Sequence, residues 1–240
     1  MFGHDFYNGA LRRYVIMFGN MFNEIQIKRF NSAGAVIQNV IVPIAYGPKQ
    51  KAIERALSDP TGLKDIAIVL PTMAFAMSSL NYAPTRKLNS SLKFRNSSFD
   101  ESLKTFNSVY APVPYDMIFT LSILTKNAED GTQIVEQILP FFTPDFVVTM
   151  KALPTMSVNI DVPIELTSVS SDDSYEGDFD LKRIMTWDLT FNVKGYLFGP
   201  VSKSKYVANV DINLFDGDYG YSNTSIAGIG IAGDGTETLT

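Results

Sequence analysis

Cysteine is absent from the 240-residue sequence. That removes disulfides, thiolate nucleophiles, Cys-ligated zinc and iron–sulfur clusters as sources of stability or function, and it fits synthesis in a reducing cytosol. Histidine is nearly absent too: the one copy, His4, lies beside the start of the chain. A Ser–His–Asp triad, a His-rich zinc site and a facial-triad iron site have almost nothing to be built from. Long apolar runs are missing as well. The longest, Ile66 to Met77, contains Pro71 and Thr72 and falls well short of the ~20 residues a spanning helix needs. The opening MFGHDFYNGALRRY places Arg12 and Arg13 after its first apolar residues, where a signal peptide has its cations before an apolar run. The expectation is a soluble, non-secreted protein.

What is present describes a globular chain. Hydrophobic residues make up 45% and charged residues 19%, too apolar for wholesale disorder. A chain of this length buries roughly 70% of its extended surface without staples. The net charge of −5 argues against sequence-independent binding of nucleic acid. The charge is unevenly placed. Residues 1–100 hold 12 Lys and Arg against 6 Asp and Glu, a net of +6, which leaves −11 for residues 101–240. Two solvated surfaces of opposite sign explain this. So does a subunit with a positive and a negative side, which favours head-to-tail association with its own copies.

Periodicity predicts a helix over residues 6–23, with Leu11, Tyr14, Val15, Phe18 and Phe22 on one apolar face. That face suits core packing or an interface. A hairpin is predicted next, from Ile25 to Lys28 and from Val36 to Ile44 around the turn residues Asn31 to Gly34. A short helix follows from Lys49 to Leu57, with Ile53, Ala56 and Leu57 inward. The runs Ile66–Leu70 and Met73–Leu80 read as buried strands broken at Pro71. The polar stretch 81–96 reads as a long loop or arm. Strands are predicted at Tyr115–Thr125, Phe146–Met150, Val158–Val169 and Ile184–Phe198. Ile134, Val135, Ile138 and Leu139 form a helical stripe ended near Pro140. From residue 216 the chain is rich in Gly, Ser, Thr and Asp without Lys or Arg, and it reads as a mobile tail. The expected fold is α+β: a single domain over 1–215, a mixed or antiparallel sheet with a few helices and the 81–96 arm, and a loose tail over 216–240.

Chemistry is hard to place on this chain. Asp172, Asp173, Glu176, Asp178 and Asp180 begin like a calcium loop, but the twelfth position, which should be a bidentate Glu, is Arg183. The run from Ala227 to Gly235 lacks the spacing and the Lys of a phosphate-binding loop. Two carboxylates could make a glycosidase, yet nothing sets one in an apolar pocket to raise its pKa. Lys93-Phe94-Arg95 pairs cations with an aromatic, as single-strand nucleic-acid surfaces do, but the run is short. No catalytic residue, cofactor or metal is assigned.

Four blocks give a resemblance: MFGHDFYNGALRRYVIMFGNMFNEIQIKR, LNYAP, QIVEQILPFFTPDFVVTM and RIMTWDLTFNVKGYLFGPV. In this order and spacing the chain resembles the tail sheath stabilisation and completion proteins, or tail terminators, of T4-like contractile-tailed phages. The resemblance implies a sheet flanked by helices and a hexameric ring without enzymatic chemistry. Such a ring sits at the head-proximal end of the virion tail, assembled in the host cytoplasm. It ends the tail tube, caps and holds the last ring of sheath protein, and meets the neck proteins, while DNA passes through its lumen. On that expectation Arg12, Arg13, Tyr14, Phe18 and Phe22 are candidates for ring or tube contact. Arg86, Lys87, Lys93 and Arg95 are candidates for partner contact by the arm. Asp172, Asp173, Glu176, Asp178 and Asp180 are candidates for an acidic lumen lining that keeps DNA sliding. The alternatives are another ring-forming neck or baseplate component, a two-carboxylate carbohydrate-active enzyme, and a nucleic-acid module using the basic arm.

Overall fold

The computed structural model describes residues 5–31, 34–57, 70–96, 105–172, 184–205, 230–231 and 237–238. In chain order the elements are α1 (Ala10–Met21), β1 (Gln26–Phe30), β2 (Val36–Ile41), β3 (Ile44–Tyr46), α2 (Lys49–Leu57), β4 (Thr72–Tyr82), β5 (Lys93–Asn96), β6 (Thr105–Tyr110) and β7 (Val113–Thr125). They continue with α3 (Ala128–Ile138), β8 (Asp145–Leu153), β9 (Val158–Asp172), β10 (Met185–Leu197), β11 (Ser202–Lys205), β12 (Gly230–Ile231) and β13 (Glu237–Thr238). The class is α+β. The described residues fall into two compact units, within Met1–Asn89 plus Pro112–Phe198 and within Ser90–Ala111 plus Gly199–Thr240.

The larger unit is built on a six-stranded mixed sheet in the order β3-β4-β7-β10-β9-β8. Only β3 and β4 run parallel; the other neighbours are antiparallel. β7 and β10 form its centre and pair from Met185↔Thr125 to Leu197↔Val113 without a shift in register. Their strict alternation puts Met117, Phe119, Leu121 and Ile123 beside Leu189, Phe191 and Val193 on one buried face. The opposite face is polar. There Lys49 Nζ lies 2.8 Å from Asp188, Ser122 Oγ donates to Asp188 Oδ1 at 2.6 Å, and the Ser78 and Thr120 hydroxyls lie 2.8 Å apart. Lys194 pairs with Glu165 and Arg86 with Asp116.

α1 closes the apolar face. Its aromatic stripe turns inward, and Phe18 stacks on Phe119 at 4.6 Å and meets Phe191 edge-on at 5.3 Å. Truncating a residue so enclosed costs ~3–5 kcal/mol. Two glycines allow this close approach. A Cβ on Gly19 of the helix would lie 2.8 Å from the Phe75 ring, and one on Gly195 of β10 would lie 2.1 Å from Met117 and 2.8 Å from Tyr14. Beside α1, α3 carries Glu129 and Asp130 in its first turn, where carboxylates suit the helix dipole, and it buries Ile134, Val135 and Ile138. Leu139 was expected on the same stripe but is exposed. Pro140 ends the helix at Ile138, and Leu139–Phe141 turns as a 3-10 segment.

The predicted strand from Val36 to Ile44 is two strands. β2 pairs with β1 as a separate two-stranded ribbon, while β3 joins the main sheet. The break falls at Val42–Pro43, where proline offers no N–H. Val42 is buried, its N–H donating to the Ile25 carbonyl at 2.9 Å. The Pro43 carbonyl accepts from Met73 N–H at 2.8 Å and from Thr72 Oγ1 at 3.3 Å.

The stretch 81–96 is ordered rather than a long loop. β4 runs on to Tyr82 because it stays paired with β7 as far as Tyr82↔Tyr115. A 3-10 turn spans Pro84–Arg86, and β5 pairs with β6. The expected strand Ile66–Leu70 lies outside the described residues except for Leu70. From residue 216 only β12 and β13 are described, and they pair with each other. In the smaller unit the sheet order is β11-β6-β5, with the Ser108 and Ser202 hydroxyls 2.8 Å apart.

Candidate docking surfaces

The α1 candidates separate into two groups. Tyr14, Phe18 and Phe22 are buried in the core, so the aromatic face packs the sheet and is not a surface that a partner touches. The Tyr14 hydroxyl donates to the Tyr196 carbonyl at 3.1 Å and accepts from Tyr196 N–H at 2.8 Å. Burial pushes the phenol pKa above its ordinary value, outweighing the backbone hydrogen bond to Tyr196 and the attraction of Arg86 and Arg13, which act to lower it. Arg13 is half-buried, donating to the carbonyls of Asn8 and Ala152. Leu11, Arg12, Ile16 and Asn20 are the exposed residues of the helix's outer flank.

The basic candidates divide as well. Arg86 is held inside the larger unit: it pairs with Asp116 at 2.5 Å, donates to the Tyr115 carbonyl at 3.1 Å, and lies over the Tyr196 ring at 5.1 Å. This corrects its expected place on a free arm. Lys87 is exposed. In the smaller unit Lys93 lies over Tyr110 at 4.5 Å and Arg95 over Phe106 at 5.5 Å, and both cations remain exposed. Of the acidic candidates, Asp172 ends β9 and is exposed. Asp173, Glu176, Asp178 and Asp180 lie outside the described residues, as does Arg183.

Two surfaces were not singled out from the sequence. The first is a groove of about 1050 Å³ along β8, walled by Ile16, Met17 and Met21 of α1, by Ile138, Phe141 and Phe142 after α3, and by Phe146 to Lys151 of the strand. Phe141 is 64% and Val147 52% exposed. Among the described residues β8 is a sheet edge, paired with β9 on one side. An apolar trough beside an open edge can seat an extended segment: the backbone supplies hydrogen bonds and the trough takes alternate side chains. Its components come from two distant stretches of chain, residues 13–25 and 137–151, so no local pattern announces it.

The second is the β1–β2 ribbon. On the α3 side its backbone is occupied: Gln133 accepts from Lys28 N–H at 3.1 Å and donates to the Lys28 carbonyl at 3.2 Å, and Gln137 donates to the Gln26 carbonyl at 2.8 Å. Arg29 reaches Asp130 at 3.4 Å. Ile27 is the ribbon's buried anchor. A bulge between Arg29 and Phe30 leaves Ile37 without a cross-strand partner, and Ile37 is 67% exposed.

Comparison with known proteins places these surfaces in context. The family model described as the T4-like virus Myoviridae tail sheath stabiliser matches residues 5–227. The chain is similar to the tail completion protein gp15 of Enterobacteria phage T4, with 33% identity over 215 residues, covering 85% of this chain and 76% of that protein. Matched across most of its length, the chain belongs to the T4-like virus tail sheath stabiliser family.

Proposed function

We propose that the protein acts by shape, as a ring, in keeping with the expected hexamer, that closes the head-proximal end of a contractile tail. The ring ends the tube, holds the last sheath ring in its extended form and offers its other side to the neck, with DNA passing through the lumen. The open β8 edge beside its apolar groove carries this reading. A sheath segment laid along β8 gains main-chain hydrogen bonds that tolerate many side-chain identities, while Phe141, Phe146 and Val147 cover its apolar residues. The exposed flank of α1, with Arg12, suits the ring or tube contact. Lys87, Lys93 and Arg95 are the cations left for partner contact, and the acidic run from Asp172 to Asp180 suits a lumen wall that repels phosphate.

The test uses Phe141→Asp with Val147→Asp. Both side chains are exposed, so the thermal midpoint of the purified protein should stay within a few degrees. Electron micrographs of tails assembled with this variant should show the extended sheath lost, with the tube still present. Tails with normal, stably extended sheath would overturn the assignment of the β8 edge.

A further inference from the structure

We infer that the β1–β2 ribbon is a self-association element that adds its β2 edge and outer face to a second copy of this chain. Three observations carry this. First, an isolated two-stranded ribbon is marginal in water, yet this one, anchored by Ile27 and Val40, keeps four apolar side chains outside: Phe30 and Val36 face each other across the end of the pair, Ile41 lies opposite Gln26, and Ile37 stands out at the bulge. Among the described residues Ile37 is the most exposed aliphatic side chain, and Ile41 is 62% exposed.

Second, the ribbon has been closed on one side only. The amides of Gln133 and Gln137 take the place of a third strand along β1. Among the described residues β2 has β1 alone as its strand neighbour. A row of open backbone groups flanked by isoleucines is a template for strand pairing.

Third, charge selects the partner. Residues 26–41 contain the exposed Lys28 and Arg29, the latter already engaged by Asp130 of α3, and no carboxylate, whereas residues 101–240 carry a net −11. A second copy therefore brings an excess of carboxylates to meet this basic ribbon, and a contact between two different patches is heterologous, the kind that generates rings. This inference rests on the ring reading and names the element that joins its members.

Sedimentation velocity of the full-length chain, alone and after docking on isolated tails, compares wild type with Ile37→Asp plus Ile41→Asp. Replacing two such apolar contacts with carboxylates should weaken association by ~100-fold or more, seen as loss of the oligomer at micromolar protein. Hydrogen exchange of the wild type supplies a readout that does not depend on the variant folding: the β2 amides should be protected in the oligomer and lose that protection on dilution. A wild type that is monomeric both alone and on tails refutes the ring reading itself. An oligomeric wild type whose variant assembles normally, or whose β2 amides exchange freely while assembled, refutes the ribbon assignment alone. A variant that stays oligomeric but no longer retains sheath places the sheath, not a second copy, on the ribbon and overturns the inference.

Discussion

Tyr14 combines two tasks on one side chain. Its ring fills the space above Gly195, and its hydroxyl both donates a hydrogen bond to the Tyr196 carbonyl and accepts one from the Tyr196 N–H. Because burial holds the phenol in its neutral form, the folded pKa exceeds the unfolded value near 10. The associated stability is therefore complete below pH ~10, and it is lost as pH rises through the folded pKa, since the unfolded chain releases the proton first. Tyr14→Phe should lower stability at pH 7 by about 1–3 kcal/mol, because the Tyr196 amide loses its partner. The same variant should flatten the alkaline fall between pH 9 and 11. Urea melts across that range check both effects. The helical spacing of Tyr14, Phe18 and Phe22 marked one apolar face in the sequence but left open whether it meets the core or a partner; the structure buries it. The hydroxyl's partner was not legible there, because it lies 182 residues away.

Among the elements, alternation carried the central strands. β7, β9 and β10 lie close to where period-two patterning put them, since each has one face against the core and one polar face. Two of the strands it missed, β5 and β11, have no dry side. β5 is exposed along its whole length, and its polar composition reads as loop. The ribbon was foreseen as a hairpin but its end was not, because Val36 to Ile44 is rich in β-branched residues on both sides of the break and is two strands in space. What docks the ribbon is a pair of glutamines four residues apart on α3, one helical turn. Gln133→Ala with Gln137→Ala should raise amide exchange in β1 by roughly tenfold or more, while the β7–β10 amides stay as protected as in wild type. Exchange read residue by residue distinguishes this local loosening from global destabilisation.

At the level of the whole molecule, the division of charge between residues 1–100 and 101–240 was plain in the sequence, and so was family membership, because length, order and spacing of several blocks agreed. The β8 groove was not legible, since α1, the end of α3 and β8 come together only on folding. If opposite charges help to join copies, raising sodium chloride from 50 mM to 500 mM should shift the oligomer toward monomer, by about tenfold or more in dissociation constant, as screening shortens the range of attraction. Light scattering across a salt series checks this. The Val42–Pro43 joint has a geometric consequence. Val42 is tied to Ile25, and Pro43 holds two donors from the start of β4, so the ribbon is joined to the sheet by a bracket rather than a tether. Members linked by such brackets turn through the same angle at every step, and a fixed turning angle lets the circle close at one circumference only. The number of members in the collar would then be set by this two-residue elbow, and a slack elbow would give collars of mixed girth.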